Sequence, residues 1–151
     1  MASMRFNHLE LTFARGTLDD AFRADIEAFY GGVFGWDVKD VDLLGQTCLL
    51  LRPDEGQFIL LAEYDRPISS PGYDHMGLLQ PSRADVDALA EVCRTWADKD
   101  DRVRLKVYDD LVTTNVTTHA FYVKFLLPLY FDVQHLQYAE GTQPEHGWQW
   151  V

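Results

Sequence analysis

The chain has 151 residues, 47% of them hydrophobic and 25% charged, a balance that suits one domain or two small modules sharing a core and excludes global disorder. With 13 Lys+Arg against 24 Asp+Glu the formal charge is −11, a field that repels a nucleic-acid backbone or an anionic membrane and attracts cations. No stretch is long and apolar enough to span a bilayer, no signal peptide is recognisable, and Cys48 and Cys93 lie in apolar surroundings as reduced thiols, so a cytoplasmic protein is expected.

The segment Phe6 to Phe13 alternates as a half-buried strand, with Leu9, Leu11 and Phe13 on one face and His8 and Glu10 on the other. Thr17 and Asp20 have the spacing of a capping box, and Leu18, Phe22, Ile26 and Phe29 recur at helical spacing. Gly31-Gly32 and Gly35 end that helix. Strands are expected over Trp36 to Asp40, Cys48 to Leu51 and Phe58 to Tyr64, with Asp54-Glu55-Gly56 turning between the last two.

The order then repeats. His75 to Leu79 is a short strand, and Ser82 and Asp85 open a second helix with Val86, Leu89, Ala90, Cys93 and Trp96 as its stripe. Strands follow over Val103 to Tyr108, Thr118 to Phe125 and Tyr130 to Tyr138. Each half is therefore a βαβββ unit: residues 4–64 form the first, 65–72 a Pro/Ser/Gly linker, 73–138 the second and 139–151 a tail. Neither unit buries enough alone, and the expected fold is α+β: a curved mixed sheet with helices on its outer face and a concave ligand groove. The two-residue period puts His8 and His75 at equivalent places, both on the face away from the helices.

On the residues Asn7-His8-Leu9-Glu10-Leu11, Ala28-Phe29-Tyr30-Gly31-Gly32-Val33-Phe34-Gly35-Trp36-Asp37-Val38 and Asp74-His75-Met76-Gly77-Leu78, the chain resembles the vicinal oxygen chelate superfamily of glyoxalase, bleomycin-resistance and extradiol-dioxygenase proteins. The resemblance runs from about Met4 to Tyr138. It implies a homodimer and metal ligands on the first and last strands of each unit, with His8 and His75 at the first-strand positions. At the last-strand positions, where the family usually carries Glu, Leu60 and Gln134 stand. The implied cofactor is one divalent ion (iron, zinc, nickel or manganese) on His8, His75 and Gln134, or none, since both acids are replaced. A carboxylate brings full charge to a dication and an amide only a dipole. Glu10, Glu63 after a one-residue shift, or His135 after a similar slip would make up the set.

Three functional readings stay open. One is a metal-dependent enzyme of lyase or dioxygenase type; another is a metal-free enzyme with a His or Glu base, Glu10 being the candidate. The third is a metal-free protein that sequesters a small cationic compound. All three place a small organic molecule against His8, Glu10, His75, Gln134 and Tyr122. His119 reads as a surface residue of a β-rich hairpin, and the tail with His146, Trp148 and Trp150 as a segment that packs on this subunit or a neighbour.

Overall fold

The computed structural model describes residues 4–145. The chain divides between Ser70 and Pro71 into two compact units, a boundary inside the proline-containing linker. The expected α+β class is what the strands and helices form, with one mixed sheet hydrogen-bonded within each unit.

The first unit runs β1 (His8–Phe13), α1 (Asp20–Ile26), a π-helical turn (Glu27–Gly31), β2 (Asp37–Leu43), β3 (Gln46–Asp54) and β4 (Gln57–Glu63). Its sheet has the order β1-β4-β3-β2, with β1 parallel to β4 and the other pairs antiparallel. The register shifts after Leu51, where Pro53 has no N–H for the ladder. Leu11, Phe13, Ile59 and Leu61 are buried on the face that receives the helix, where the Phe13 and Phe22 rings meet edge-on at 5.4 Å. The helix begins two residues later than the Thr17 expectation, because the Asp19 carboxylate, not the Thr17 hydroxyl, accepts the Phe22 N–H at 2.8 Å. Gly32 lets the helix end turn tightly, since a β-carbon there would fall 2.4 Å from the Ala28 carbonyl oxygen.

The second unit runs β5 (His75–Leu79), α2 (Arg83–Ala97), β6 (Arg104–Val107), β7 (Leu111–Val112), β8 (Val116–Lys124) and β9 (Tyr130–Tyr138). The order β5-β9-β8-β6 reproduces that of the first unit, with β5 parallel to β9. The Ser82 hydroxyl caps α2 as its spacing predicts, accepting the Asp85 N–H at 3.2 Å. Val86 and Cys93 are fully buried, as are Phe121, Val123, Phe131 and Val133 on the sheet face that α2 covers. Burial pushes the Cys93 thiol up to about 12, and Cys48 is likewise buried and raised, so both are inert free thiols.

The short strand β7 is an addition to the expected three strands. It continues β6 along β8 after a break at residues 108–110, and that break turns Asp110 toward the helix. There the His119 Nδ1 lies 2.8 Å from Asp110, its Nε2 2.7 Å from Asp87 of α2, and Arg83 also pairs with Asp110 at 2.6 Å. His119 is therefore not the surface residue expected: its side chain is 14% exposed and bridges helix to sheet. No helix among the described residues is long and apolar enough to cross a membrane.

Candidate functional site

In each sheet one face carries the helix, and the other is called the distal face here. In the first unit the distal face presents rows paired across β1 and β4: His8 with Phe58, Glu10 with Leu60, Thr12 with Ala62. Both His8 and Glu10 are exposed on this edge strand. The His8 ring stacks on Phe58 with centroids 4.8 Å apart and planes within 4°. Its Nδ1 sits 2.7 Å from the Asn7 side-chain oxygen, and Asn7 is oriented by donating its amide to the Gly56 carbonyl, so the His8 Nδ1 is the protonated nitrogen. Leu60 stands where the resemblance looks for an acid, and it belongs to an apolar cluster with Cys48 and Ala62, flanked by Val41, Leu50 and Phe58.

Glu63 takes no part in this face. It pairs with Phe13 and lies on the helix face, where its carboxylate accepts the Leu18 N–H at 2.8 Å. Hydrogen bonds from the Gly16, Leu18 and Thr17 amides hold it below the usual carboxylate range, against the opposing effect of burial. Its own backbone is clipped by the Gln46 carboxamide, which accepts its N–H at 2.7 Å and donates to its carbonyl at 3.1 Å. No one-residue shift brings Glu63 toward His8.

In the second unit the distal face is polar and aromatic. The His75 Nδ1 donates to the Tyr73 carbonyl at 2.8 Å, which leaves the lone pair on Nε2. That Nε2 is 3.4 Å from the Tyr122 hydroxyl and 3.9 Å from the Asp132 carboxylate. Asp132 was not among the residues expected from sequence, yet it is the centre of this face. It is 8% exposed, and its Oδ1 is buried without a hydrogen-bond partner. Burial raises the Asp132 carboxyl above its ordinary value, with the nearby His75 pulling in the opposite direction. Burial, Asp132 and Tyr108 together raise the Tyr122 phenol.

The register explains why Asp132 was missed. His75 pairs with Tyr130 and Gly77 with Asp132, just as His8 pairs with Phe58 and Glu10 with Leu60. The equivalent of Leu60 is thus Asp132, two residues before Gln134. Setting Tyr130-Phe131-Asp132-Val133 against Phe58-Ile59-Leu60-Leu61 was the signal available in the sequence. Gln134 shares the distal face one pair further along β9, opposite Ala120. His135 faces the helix side, within 3.2 Å of the Gln80 carbonyl. The His146, Trp148 and Trp150 expectations lie outside the described residues.

Around this centre stand four tyrosines. Tyr73 stacks on Tyr130 at 5.2 Å and Tyr108 meets Tyr122 edge-on at 4.9 Å. The Lys106 Nζ lies over the Tyr73 and Tyr108 rings at 4.6 and 4.8 Å. Hydrogen bonds to those two tyrosines raise it, so it stays charged. Among the described residues no three His, Cys, Asp or Glu side chains come together as a metal cage. His75 Nε2 and the Asp132 carboxylate are two donors that suit a divalent ion, and the Nδ1 bond to a backbone carbonyl is the usual way a metal-ligating imidazole is oriented.

Solved structures share this fold. A glyoxalase-family protein from Bacillus anthracis matches with a TM-score of 0.62 at 12% identity, over 91% of this chain and 98% of its own. Lactoylglutathione lyase from Agrobacterium tumefaciens matches with a TM-score of 0.55 at 16% identity, over 89% and 95%. TnmS3, an antibiotic-binding protein from a Streptomyces species, matches with a TM-score of 0.57 at 14% identity, over 91% and 99%. No family model matches the chain, and no curated protein matches it in sequence. The fold is the one that these glyoxalase-family, lactoylglutathione lyase and antibiotic-binding structures share.

Proposed function

We propose that this chain, with its vicinal oxygen chelate fold, binds a small organic molecule on the distal face of its second sheet, centred on Asp132, His75 and Tyr122. One observation carries the reading: the Asp132 Oδ1 is buried with no partner in the middle of a polar, aromatic face. A buried acceptor left unmade costs about 1–3 kcal/mol, and a ligand donor removes that cost. The glyoxalase-family and antibiotic-binding structures of the same fold support a small-molecule role without choosing a reaction. The test is a ligand-observed NMR fragment screen on the wild type and on Asp132→Asn and Tyr122→Phe. Hits that both variants weaken support the site, and hits indifferent to both overturn it.

A second reading has its own observation, the His75 Nε2 lying 3.9 Å from the Asp132 carboxylate while Nδ1 is held by the Tyr73 carbonyl. On this reading the two side chains hold a divalent ion, and the chain is a metal-dependent lyase or dioxygenase. The ion would supply Lewis-acid or oxygen chemistry to the bound molecule. Calorimetric titration with zinc, nickel, manganese and anaerobic ferrous iron tests it. Loss of binding in both His75→Ala and Asp132→Asn supports this reading; binding that survives in both removes it. The resemblance also makes a homodimer the state to check by sedimentation.

A further inference from the structure

We infer that the molecule recognised by the distal face of the second sheet is an anion: a small planar compound with a carboxylate-type group and, about one ring away, a hydrogen-bond donor. This rests on the binding site proposed above and adds the chemical class of its occupant. It runs against the cationic ligand that the charge of −11 suggests.

The local charge of this face opposes the global charge of the chain. Arg104 pairs with Lys124 and Lys106 with Tyr122 across β6 and β8, so all three cations stand on the distal face together with His75. Burial and then repulsion from Arg104 hold Lys124 below its ordinary value against the attraction of Asp74, so these two neighbouring cations sense one another. In a strongly acidic chain, like charges gathered on one face are an electrostatic cost, and an incoming anion relieves it.

The spacing then narrows the class. Lys106, Tyr122 and Asp132 are in register on three neighbouring strands, β6, β8 and β9. Two strand spacings separate the ends of that row, about 10 Å between backbones. The Lys106 ammonium offers donors at one end, and the unpartnered Asp132 Oδ1 offers an acceptor at the other. Tyr122 lies between them, with Tyr108 against it. A flat molecule with an anionic group at one end and a hydroxyl or amine at the other satisfies both ends while its ring lies on the tyrosines.

Four para-substituted benzene probes test this by chemical-shift perturbation of the full chain: 4-hydroxybenzoate, 4-aminobenzoate, the neutral 4-hydroxybenzamide and the cationic 4-hydroxybenzylamine. The expected order puts the two acids first. The acids should weaken as salt rises, and Lys106→Gln should cost them about tenfold or more while leaving the amide unchanged. Lys106 is exposed, so that variant keeps the fold, and its unchanged spectrum away from β6 serves as the control. If the amine or amide binds at Asp132 as well as the acids do, the anion inference fails and the site stands. If none of the four perturbs the Asp132 and Tyr122 signals, the inference is overturned, and the fragment screen decides the site separately.

Discussion

The side-chain nitrogen of Gln134 lies across the bare α-carbon of Gly77, 2.9 Å from the place a β-carbon would occupy. Gly77 is also the strand partner of Asp132, so no side chain of β5 stands directly opposite that carboxylate. Gly77→Ala therefore sets a methyl against the end of a flexible side chain rather than against backbone. The expected stability change is below about 1 kcal/mol, read by chemical denaturation. Binding of 4-hydroxybenzoate should weaken, and adding Gln134→Ala should restore the stability but not the binding. A Gly77→Ala protein with full affinity would mean that the ligand does not approach Asp132 from β5.

Asp132→Asn should stabilise the protein at neutral pH by roughly 1 kcal/mol, because it removes the charge that burial disfavours. The sign follows from the direction of the shift. The folded protein holds the Asp132 proton more tightly than the unfolded chain, whose carboxyl titrates near 3.8. The contribution of that proton is full below 3.8 and is lost as pH rises through the higher folded value. The gain from Asn should thus be present at pH 7 and fade toward pH 3, in paired thermal melts.

Glu63→Ala should cost about 1–2 kcal/mol, because the Gly16–Leu18 turn loses the acceptor for its amides. Its folded carboxyl is held below the ordinary 4.5, so its contribution is present above 4.5 and lost as pH falls through the folded value. Metal and probe binding should be unchanged, since this carboxylate faces the helix. Loss of either with the fold intact would return Glu63 to the site.

His119 gives the opposite pH dependence. Burial alone would lower it, but the hydrogen bonds to Asp110 and Asp87 prevail over burial and the repulsion of Arg83, and the imidazole is raised above 6.5. Its stabilising share is full below 6.5 and is lost as pH rises through the folded value. The stability difference between wild type and His119→Gln should shrink between pH 6 and pH 9. A constant difference over that range would show that the bridge to α2 works without the imidazolium.

The strand–helix order of both halves was legible because each first strand has one dry face and one wet face, and because Ser82 caps α2 locally. The start of α1 was not, because the amides of residues 16–18 are satisfied by Glu63, a partner 45 residues away from Leu18. Period-two reasoning put Gln134 on the correct face of β9, but Asp132 lies on that face as well. Alternation fixes the face; only the pairing with β5 fixes the row. Asp132 was left out of the expected set by that difference of two residues.

The two halves share a topology, and one equivalent position carries opposite chemistry in them, Leu60 in the first and Asp132 in the second. An acid placed at position 60 would enter a cluster made of Cys48, Ala62, Val41, Leu50 and Phe58, where no donor side chain waits for it. One substitution therefore cannot place a working acid at position 60; polar replacements around it would have to be made together with it. Apolar packing thus closes the first unit's row to a carboxylate that the second unit keeps at Asp132.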